Sequence, residues 1–290
     1  MTIFIADAIR EAAETLQQAG LADPRREASG LLEYVVGRDR TFILAHPDHA
    51  MRDEQLQSFR ELVIRRASGE PLQYITTHQS FYGLDFEVGK GVLIPRPETE
   101  LLVESALQLL QGANAAASIC DVGTGSGCIA ITLLHERTEA SGVAIDVSAD
   151  ALEIAKRNAK RHSVENRLAF VHANCFSSLS ADEFAFDLVV SNPPYVADHE
   201  LAGLQREVRD HEPLEALAGG PDGLDVVRRL LTDSGAFLKQ RGHLLIEIGF
   251  NQAEAVEALI DSHLWLSRGI RADLQGIPRV VVLQKRSAEP

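Results

Sequence analysis

Four residues that leave an apolar run, Asn192, Pro193, Pro194 and Tyr195 in "SNPPYVADHE", have the types and order to hold a small planar group. Proline lacks an N–H and has a fixed φ, so Pro193 and Pro194 end the preceding run and make a stiff, extended exit from it. Asn192 carries a side-chain carbonyl oxygen, and the peptide between Pro193 and Pro194 presents a second acceptor that can barely move. Two fixed acceptors around one point suit an –NH₂ group, which has two protons to donate. Tyr195 can cover the flat face of the group that bears it. The nitrogen of an amide or a base is a poor nucleophile because its lone pair is delocalised. Acceptors aimed at its hydrogens favour the charged, tetrahedral state it reaches on gaining a methyl group. That chemistry is positional and needs no dedicated general base. The ten histidines are scattered and supply no compelling one, and "AHPDH" around His46 reads as a loop.

A second chemical signal is "DVGTGSGCIAI", where Gly123, Gly125 and Gly127, with Thr124 and Ser126 between them, fill a turn from a strand into a helix. Glycines there permit unusual backbone angles and close approach of a ligand, and the helix start offers N–H groups. The dinucleotide pattern asks for a glycine where Cys128 stands, so the fit is to G-x-G-x-G. In "VAIDVS", Asp146 ends the next strand-like run, where a carboxylate can accept both ribose hydroxyls of a nucleoside; an N-cap role for Asp146 or Ser148 is the simpler alternative. No lysine of the phosphate-loop type follows the glycines, which disfavours nucleotide hydrolysis.

The elements that must position these residues alternate strictly. "ASICDVG", "SGVAIDV", "LAFVHA", "FDLVVSN" and "GHLLIEIG" are short strand-like runs separated by helical stretches. That rhythm predicts a parallel sheet with crossover helices, closed by an antiparallel pair from "WLSRGIRAD" and "RVVVLQK". The glycine turn, Asp146 and Asn192 then fall on one rim, beyond the carboxyl ends of the strands. The first seventy or so residues have helical periodicity only: Ile5, Ala8, Ile9, Ala12 and Leu16 on one face, Leu31, Leu32 and Val35 after an Asp23–Pro24 start, and Leu56, Phe59 and Val63 before Gly69. The aromatic, β-branched and glycine-punctuated stretch from Pro71 to Pro97 reads as a hairpin-like connector.

Composition sets further bounds. With 45% hydrophobic and 24% charged residues in 290, the chain is an ordinary globular protein, long enough for one large domain or, as expected here, two. A formal charge of −14 repels polyanions, so a nucleic-acid partner would need a local basic patch. Cys120, Cys128 and Cys175 form neither a CxxC pair nor a metal-ligand spacing, which points to a reducing compartment and no metal. The first twenty residues read as an amphipathic helix without a signal peptide's basic start, and no run has the length of a membrane span, so a cytoplasmic protein with no membrane partner is expected. Monomer is the default expectation.

With these residues in hand the chain resembles the class I, S-adenosylmethionine-dependent methyltransferases. More narrowly, "PLQYI", "FYGLDF", "VLIPRPETE", "TGSGCIAI", "SNPPY" and "IEIG", in that order, are similar to the peptide chain release factor N5-glutamine methyltransferase family, also known as HemK or PrmC. The resemblance implies an α/β fold, a Rossmann-like seven-stranded methyltransferase sheet, with residues 1–72 as an N-terminal helical domain for docking a release factor. A β-hairpin connector would occupy 73–96 and the methyltransferase domain 97–290. It implies S-adenosylmethionine held by Gly123, Thr124, Gly125, Ser126, Gly127, Asp146 and Asn192. The implied substrate is the glutamine of the Gly-Gly-Gln motif in class 1 release factors, gripped by Asn192, Pro193, Pro194 and Tyr195, with Asn192, Pro193 and Tyr195 as the catalytic set. Where the family often has an acidic residue followed by a tryptophan or another apolar residue beside the adenine, "HANCFSSL" places Asn174 and Cys175; Cys175 is expected to line that pocket, a buried core cysteine being the alternative. Arg96 and Glu98 either border the site or start a helix. Two rivals share parts of the pattern: a methyltransferase acting on the exocyclic amine of a flipped adenine or cytosine, and a non-catalytic nucleoside- or partner-binding module.

Overall fold

A computed structural model describes residues 2–111 and 116–287; the outermost ends of the expected domains, residues 1 and 290, lie outside them. In chain order the elements are α1 (Ile5–Gln18), α2 (Pro24–Val36), α3 (Arg40–Ala45), α4 (Asp53–Ala67), α5 (Leu72–Thr76), β1 (His78–Phe81) and β2 (Leu84–Glu87). There follow α6 (Glu100–Leu110), β3 (Ser118–Val122), α7 (Cys128–Glu136), β4 (Ser141–Asp146), α8 (Ala149–Arg161), β5 (Leu168–His172) and β6 (Phe186–Ser191). The last are α9 (Arg206–His211), α10 (Asp225–Phe237), β7 (Leu238–Glu247), α11 (Ala253–Leu259), β8 (Trp265–Ala272) and β9 (Pro278–Lys285). Backbone contacts divide the chain into two units, Met1–His78 with Gln205–His211, and Gln79–Leu204 with Glu212–Pro290.

The first unit is helical. The apolar face of α1 read from the sequence, Ile5, Ala8, Ile9, Ala12 and Leu16, is buried throughout. It packs with Ala28, Leu31, Leu32, Ile43, Phe59 and Val63 into one cluster, with Leu56 and Val35 half-buried at its edge. Pro24 sits in the first turn of α2 as its fixed φ suits, but Asp23 makes no side-chain cap bond. The sequence stretch "PLQYI" differs from its hairpin-like reading: Leu72–Thr76 is a short helix that begins directly after Pro71, and the hairpin starts only at β1. The helix α9, far along the chain, belongs to this unit through a buried cation. Arg66 is 3% exposed, and its guanidinium meets Glu27 at 2.7 Å and Glu207 of α9 at 2.6 Å.

The second unit holds a seven-stranded sheet in the order β5-β4-β3-β6-β7-β9-β8. The pairs β4·β5, β3·β4, β3·β6 and β6·β7 are parallel, and β7·β9 and β8·β9 are antiparallel. Both faces are covered, one by a cluster containing Leu102, Ile131 and Leu134 and the other by one containing Val227, Leu230 and Trp265. Strands buried on both faces need continuous apolar runs, which "LVV" in β6 and "LLI" in β7 supply. The chain builds outward from β3 to β5 and then returns to the other side of β3 with β6. That reversal opens a crevice at the carboxyl ends of β3 and β6, where parallel sheets bind ligands.

Candidate active site

The glycine turn closes β3 and opens α7. Gly123, Gly125 and Gly127 have φ of 74°, 55° and 82°, all in the left-handed region that a side chain disfavours. Their surroundings differ. A Cβ on Gly127 would lie 2.7 Å from Ile131 Cδ1 and 3.2 Å from Ala155 Cβ, whereas one on Gly123 or Gly125 would meet nothing within 4 Å. Gly127 is therefore a packing glycine, and the other two border open space.

The amides of this turn are already engaged. Gly123 and Thr124 donate to Ile145 O, Gly127 donates to Thr124 O, and Gly125 donates to Asp146 Oδ2 at 2.8 Å. Those four are used inside the protein, so the turn itself is built for close approach; of the N–H groups expected at the start of α7, that of Ala130 donates to Asp121 Oδ2. Asn158, fully buried, holds the turn from behind by donating to Ser126 O and Glu87 O while accepting from Glu87 N.

Asp146 ends β4 with both oxygens occupied once, Oδ2 by Gly125 N and Oδ1 by Ser148 N. A carboxylate has about four acceptor positions, so these bonds leave acceptor capacity for a ligand. Burial raises its pKa, opposed by the backbone donors Ser148, Gly125 and Val147. The N-cap of α8 is Ser148, whose side chain accepts from Ala151 N. Asp121, one strand over, is fully buried and its pKa is pushed up to about 7 by burial, against hydrogen bonds from Thr124 and Ala130. Its Oδ1 has no partner among the described residues. Sequence reasoning passed over Asp121, although an acid inside the apolar run "SICDV" was the signal for it. Two buried acids beside a glycine-lined space, with the Gly123, Thr124, Gly125 and Gly127 amides engaged, fit a nucleoside carrying positive charge.

Asn192 follows the last residue of β6 and is half-buried, and Pro193 is buried. Ser191 Oγ donates to Val122 O at 2.7 Å and so ties the exits of β6 and β3 together. The Asn192 amide nitrogen donates to Thr99 Oγ1 at 3.1 Å, which leaves its oxygen as the free acceptor. Tyr195 is held from behind: Gln252 Nε2 donates to its carbonyl at 3.0 Å, and a Cβ on Gly249 would lie 2.9 Å from its ring. Burial raises the Tyr195 pKa, and Glu247, Arg279, Arg96 and Glu98 stand near enough to influence it. Arg96 itself bonds Glu212 at 2.5 Å. Thr99 and Glu247, both 2% exposed, were not singled out from the sequence. Cys175 sits beyond β5 with a φ of 50°, and burial raises its thiol pKa. The ring of Phe176 next to it stacks on Phe237 at 4.6 Å, while Asn174 Oδ1 accepts from Arg229. No cluster of potential metal ligands occurs among the described residues.

Comparison with known proteins decides between the methyltransferase readings. Residues 7–76 match the PrmC N-terminal domain and residues 98–208 the methyltransferase small domain. A release factor glutamine methyltransferase of Nitratidesulfovibrio vulgaris is 41% identical over 97% of this chain and 95% of its own. The chain belongs to the release factor glutamine methyltransferase family. A second member, from Koribacter versatilis, is 40% identical over 96% of this chain and 97% of its own. The fold is shared with more distant enzymes: a methyltransferase from Pyrococcus furiosus superposes with a TM-score of 0.51 at 16% identity, covering 72% of this chain and 92% of its own. As a member of this family the chain is an S-adenosylmethionine-dependent methyltransferase. The glycine-lined rim described above, with the acceptors of Asp146 beside it, fits that cofactor, whose sulfonium and ammonium are cationic and whose ribose carries hydroxyls. No described helix is long and apolar enough to cross a membrane.

Proposed function

We propose that this protein methylates the side-chain amide nitrogen of the glutamine in the Gly-Gly-Gln motif of class 1 release factors. S-adenosylmethionine, when bound, supplies an electrophilic methyl group. Gly123 to Ser126, Asp146 and Cys175 would hold it, with Gly127 packing the turn against α7 and Asn192 between the cofactor and the substrate. The observation that carries the reading is the Asn192 amide, whose nitrogen is engaged by Thr99 and whose oxygen is left to accept. With the Pro193 carbonyl as second acceptor, it would grip both protons of the glutamine –NH₂ and turn the nitrogen lone pair toward the methyl donor. Pro194 and Tyr195 would enclose the flat amide, and water would be kept from it. As positive charge grows on nitrogen the two oxygens hold its protons more strongly, which lowers the barrier; the nitrogen lone pair would form the N–CH₃ bond as the S–CH₃ bond breaks, S-adenosylhomocysteine would leave, and the extra N–H proton would pass to solvent on product release.

Protein substrates need more contact area than one glutamine gives, and the N-terminal helical unit is the proposed source of it. The test of the active-site reading is Asn192→Ala, assayed with a purified release factor. Turnover should fall about 10²- to 10³-fold, the loss expected for one aimed polar group, with the unfolding midpoint preserved. Wild-type turnover in that variant would overturn the assignment.

A further inference from the structure

We propose that Thr99 and Glu247 are positioning residues that fix which way the Asn192 amide faces. The inference rests on the reading of Asn192 as the acceptor for the glutamine –NH₂. An asparagine amide is nearly symmetrical in shape, and a half-turn about its last bond exchanges oxygen for nitrogen. Turned that way, Asn192 would offer hydrogens to hydrogens and the grip would fail.

The structure contains the device that prevents the turn. Thr99 has a single hydroxyl proton, and its side chain donates a hydrogen bond to the Glu247 carboxylate. With that proton committed, Thr99 Oγ1 can only accept, and it accepts from Asn192 Nδ2 at 3.1 Å. The other Glu247 oxygen has no partner among the described residues, so the carboxylate has no competing donor there. The frame is rigid: Glu247 ends β7, whose Ile246 is in register with Ser191 of β6, one residue before Asn192. Thr99 lies in the helical turn Pro97–Thr99 that leads into α6. A flipped Asn192 would leave a buried polar group without its partner, a roughly 10- to 100-fold bias toward the working orientation.

The same arrangement makes the orientation depend on charge at Glu247. Burial pushes its pKa up to about 7; the Thr99 bond and Arg279 oppose that, and Glu98 adds to it. Tyr195 and Cys128 also stand within its influence. Once protonated, the acid can donate to Thr99, and the hydroxyl proton is then free to turn toward Asn192.

The experiment is steady-state kinetics of the full chain with S-adenosylmethionine and a purified release factor, for Thr99→Val, Thr99→Ser, Glu247→Gln and Asn192→Ala. Binding of S-adenosylhomocysteine by calorimetry and the unfolding midpoint are measured beside them. Thr99→Val should lower kcat about 10- to 100-fold, with KM for the release factor and affinity for the cofactor product within about twofold. Thr99→Ser should recover kcat to within about threefold of wild type, since it restores the hydroxyl. Wild-type kcat should fall as the pH drops through 7, and Glu247→Gln should lose the part of that fall due to this acid; Asp121 titrates in the same range, so the difference between the two profiles is what counts. Wild-type kcat in Thr99→Val, a Ser variant as slow as Val, or an unchanged pH profile in Glu247→Gln would each overturn the proposal. If Asn192→Ala is slow while Thr99→Val is normal, only this inference fails; if Asn192→Ala is itself normal, the reading of the site fails with it.

Discussion

The three glycines of the turn after β3 should separate experimentally into one that packs and two that make room. Each has a left-handed φ, so alanine at any of them costs about 1–2 kcal/mol in backbone strain. At Gly123 and Gly125 that is the whole expected cost, because a Cβ there would touch nothing within 4 Å. At Gly127 the Cβ would also be driven to 2.7 Å from Ile131 Cδ1 in a core where Ile131 is fully buried, adding about 1–3 kcal/mol of overpacking. Thermal unfolding should therefore show Gly127→Ala lowered by about 4–20 °C and the other two by about 2–8 °C, at roughly 2–4 °C per kcal/mol for a domain of this size, with Gly127→Ala the lowest of the three. Calorimetry with S-adenosylhomocysteine should rank them the other way: Gly125→Ala and Gly123→Ala lose binding at least about tenfold, since a methyl group stands where the ligand must approach. An equally stable Gly127→Ala, or a Gly125→Ala that binds like wild type, would refute the division.

Three further outcomes follow from the buried charges. Asp121 has its pKa raised by burial to about 7, so it holds a proton in the folded state over a range where the unfolded chain has released it. Its contribution is present below the ordinary carboxylate range and lost as pH rises through 7. Asp121→Asn should flatten the fall in stability between pH 4 and 7.5 by up to about 4 kcal/mol, read as the difference between wild-type and variant unfolding curves; a parallel pair of curves would contradict it. Arg66→Ala should cost about 3 kcal/mol, by leaving Glu27 and Glu207 without their cation, and hydrogen exchange should rise in α9. Unchanged protection of α9 would show that the ion triad does not hold it. Asp146→Asn keeps one acceptor for Gly125 N but removes the charge, and should weaken S-adenosylhomocysteine binding about 10- to 100-fold, checked by calorimetry.

Much of the scaffold was legible because periodicity reports burial directly. The inward face of α1 and the five parallel strands are where the alternation of apolar runs puts them. "PLQYI" was misread because tyrosine and isoleucine favour strands in general, while here Tyr74 and Ile75 are buried from a short helix that starts directly after Pro71. The assignment of α9 to the helical unit was not legible at all. It depends on Arg66 and Glu207, a pair 141 positions apart, and nothing in either neighbourhood announces the other. In the candidate site, the glycine turn and the proline exit were legible because glycines and prolines mark backbone geometry in the sequence itself. The groups behind them were missed for the opposite reason: Thr99, Asn158 and Glu247 matter through hydrogen bonds to distant strands. The amides of Gly123, Thr124 and Gly125 are likewise engaged by Ile145 and Asp146 of the neighbouring strand, a pairing that local sequence does not announce.

The central claim is that the acceptors around Asn192 serve a glutamine amide in a release factor. Its most direct test is incubation of the protein with methyl-labelled S-adenosylmethionine and a class 1 release factor, followed by peptide mass spectrometry, beside a Gly-Gly-Gln→Gly-Gly-Ala substrate and a nucleic-acid control. The account predicts one methyl group on the side-chain nitrogen of that glutamine and none on either control. Label that survives the glutamine substitution, or appears on nucleic acid alone, would contradict it.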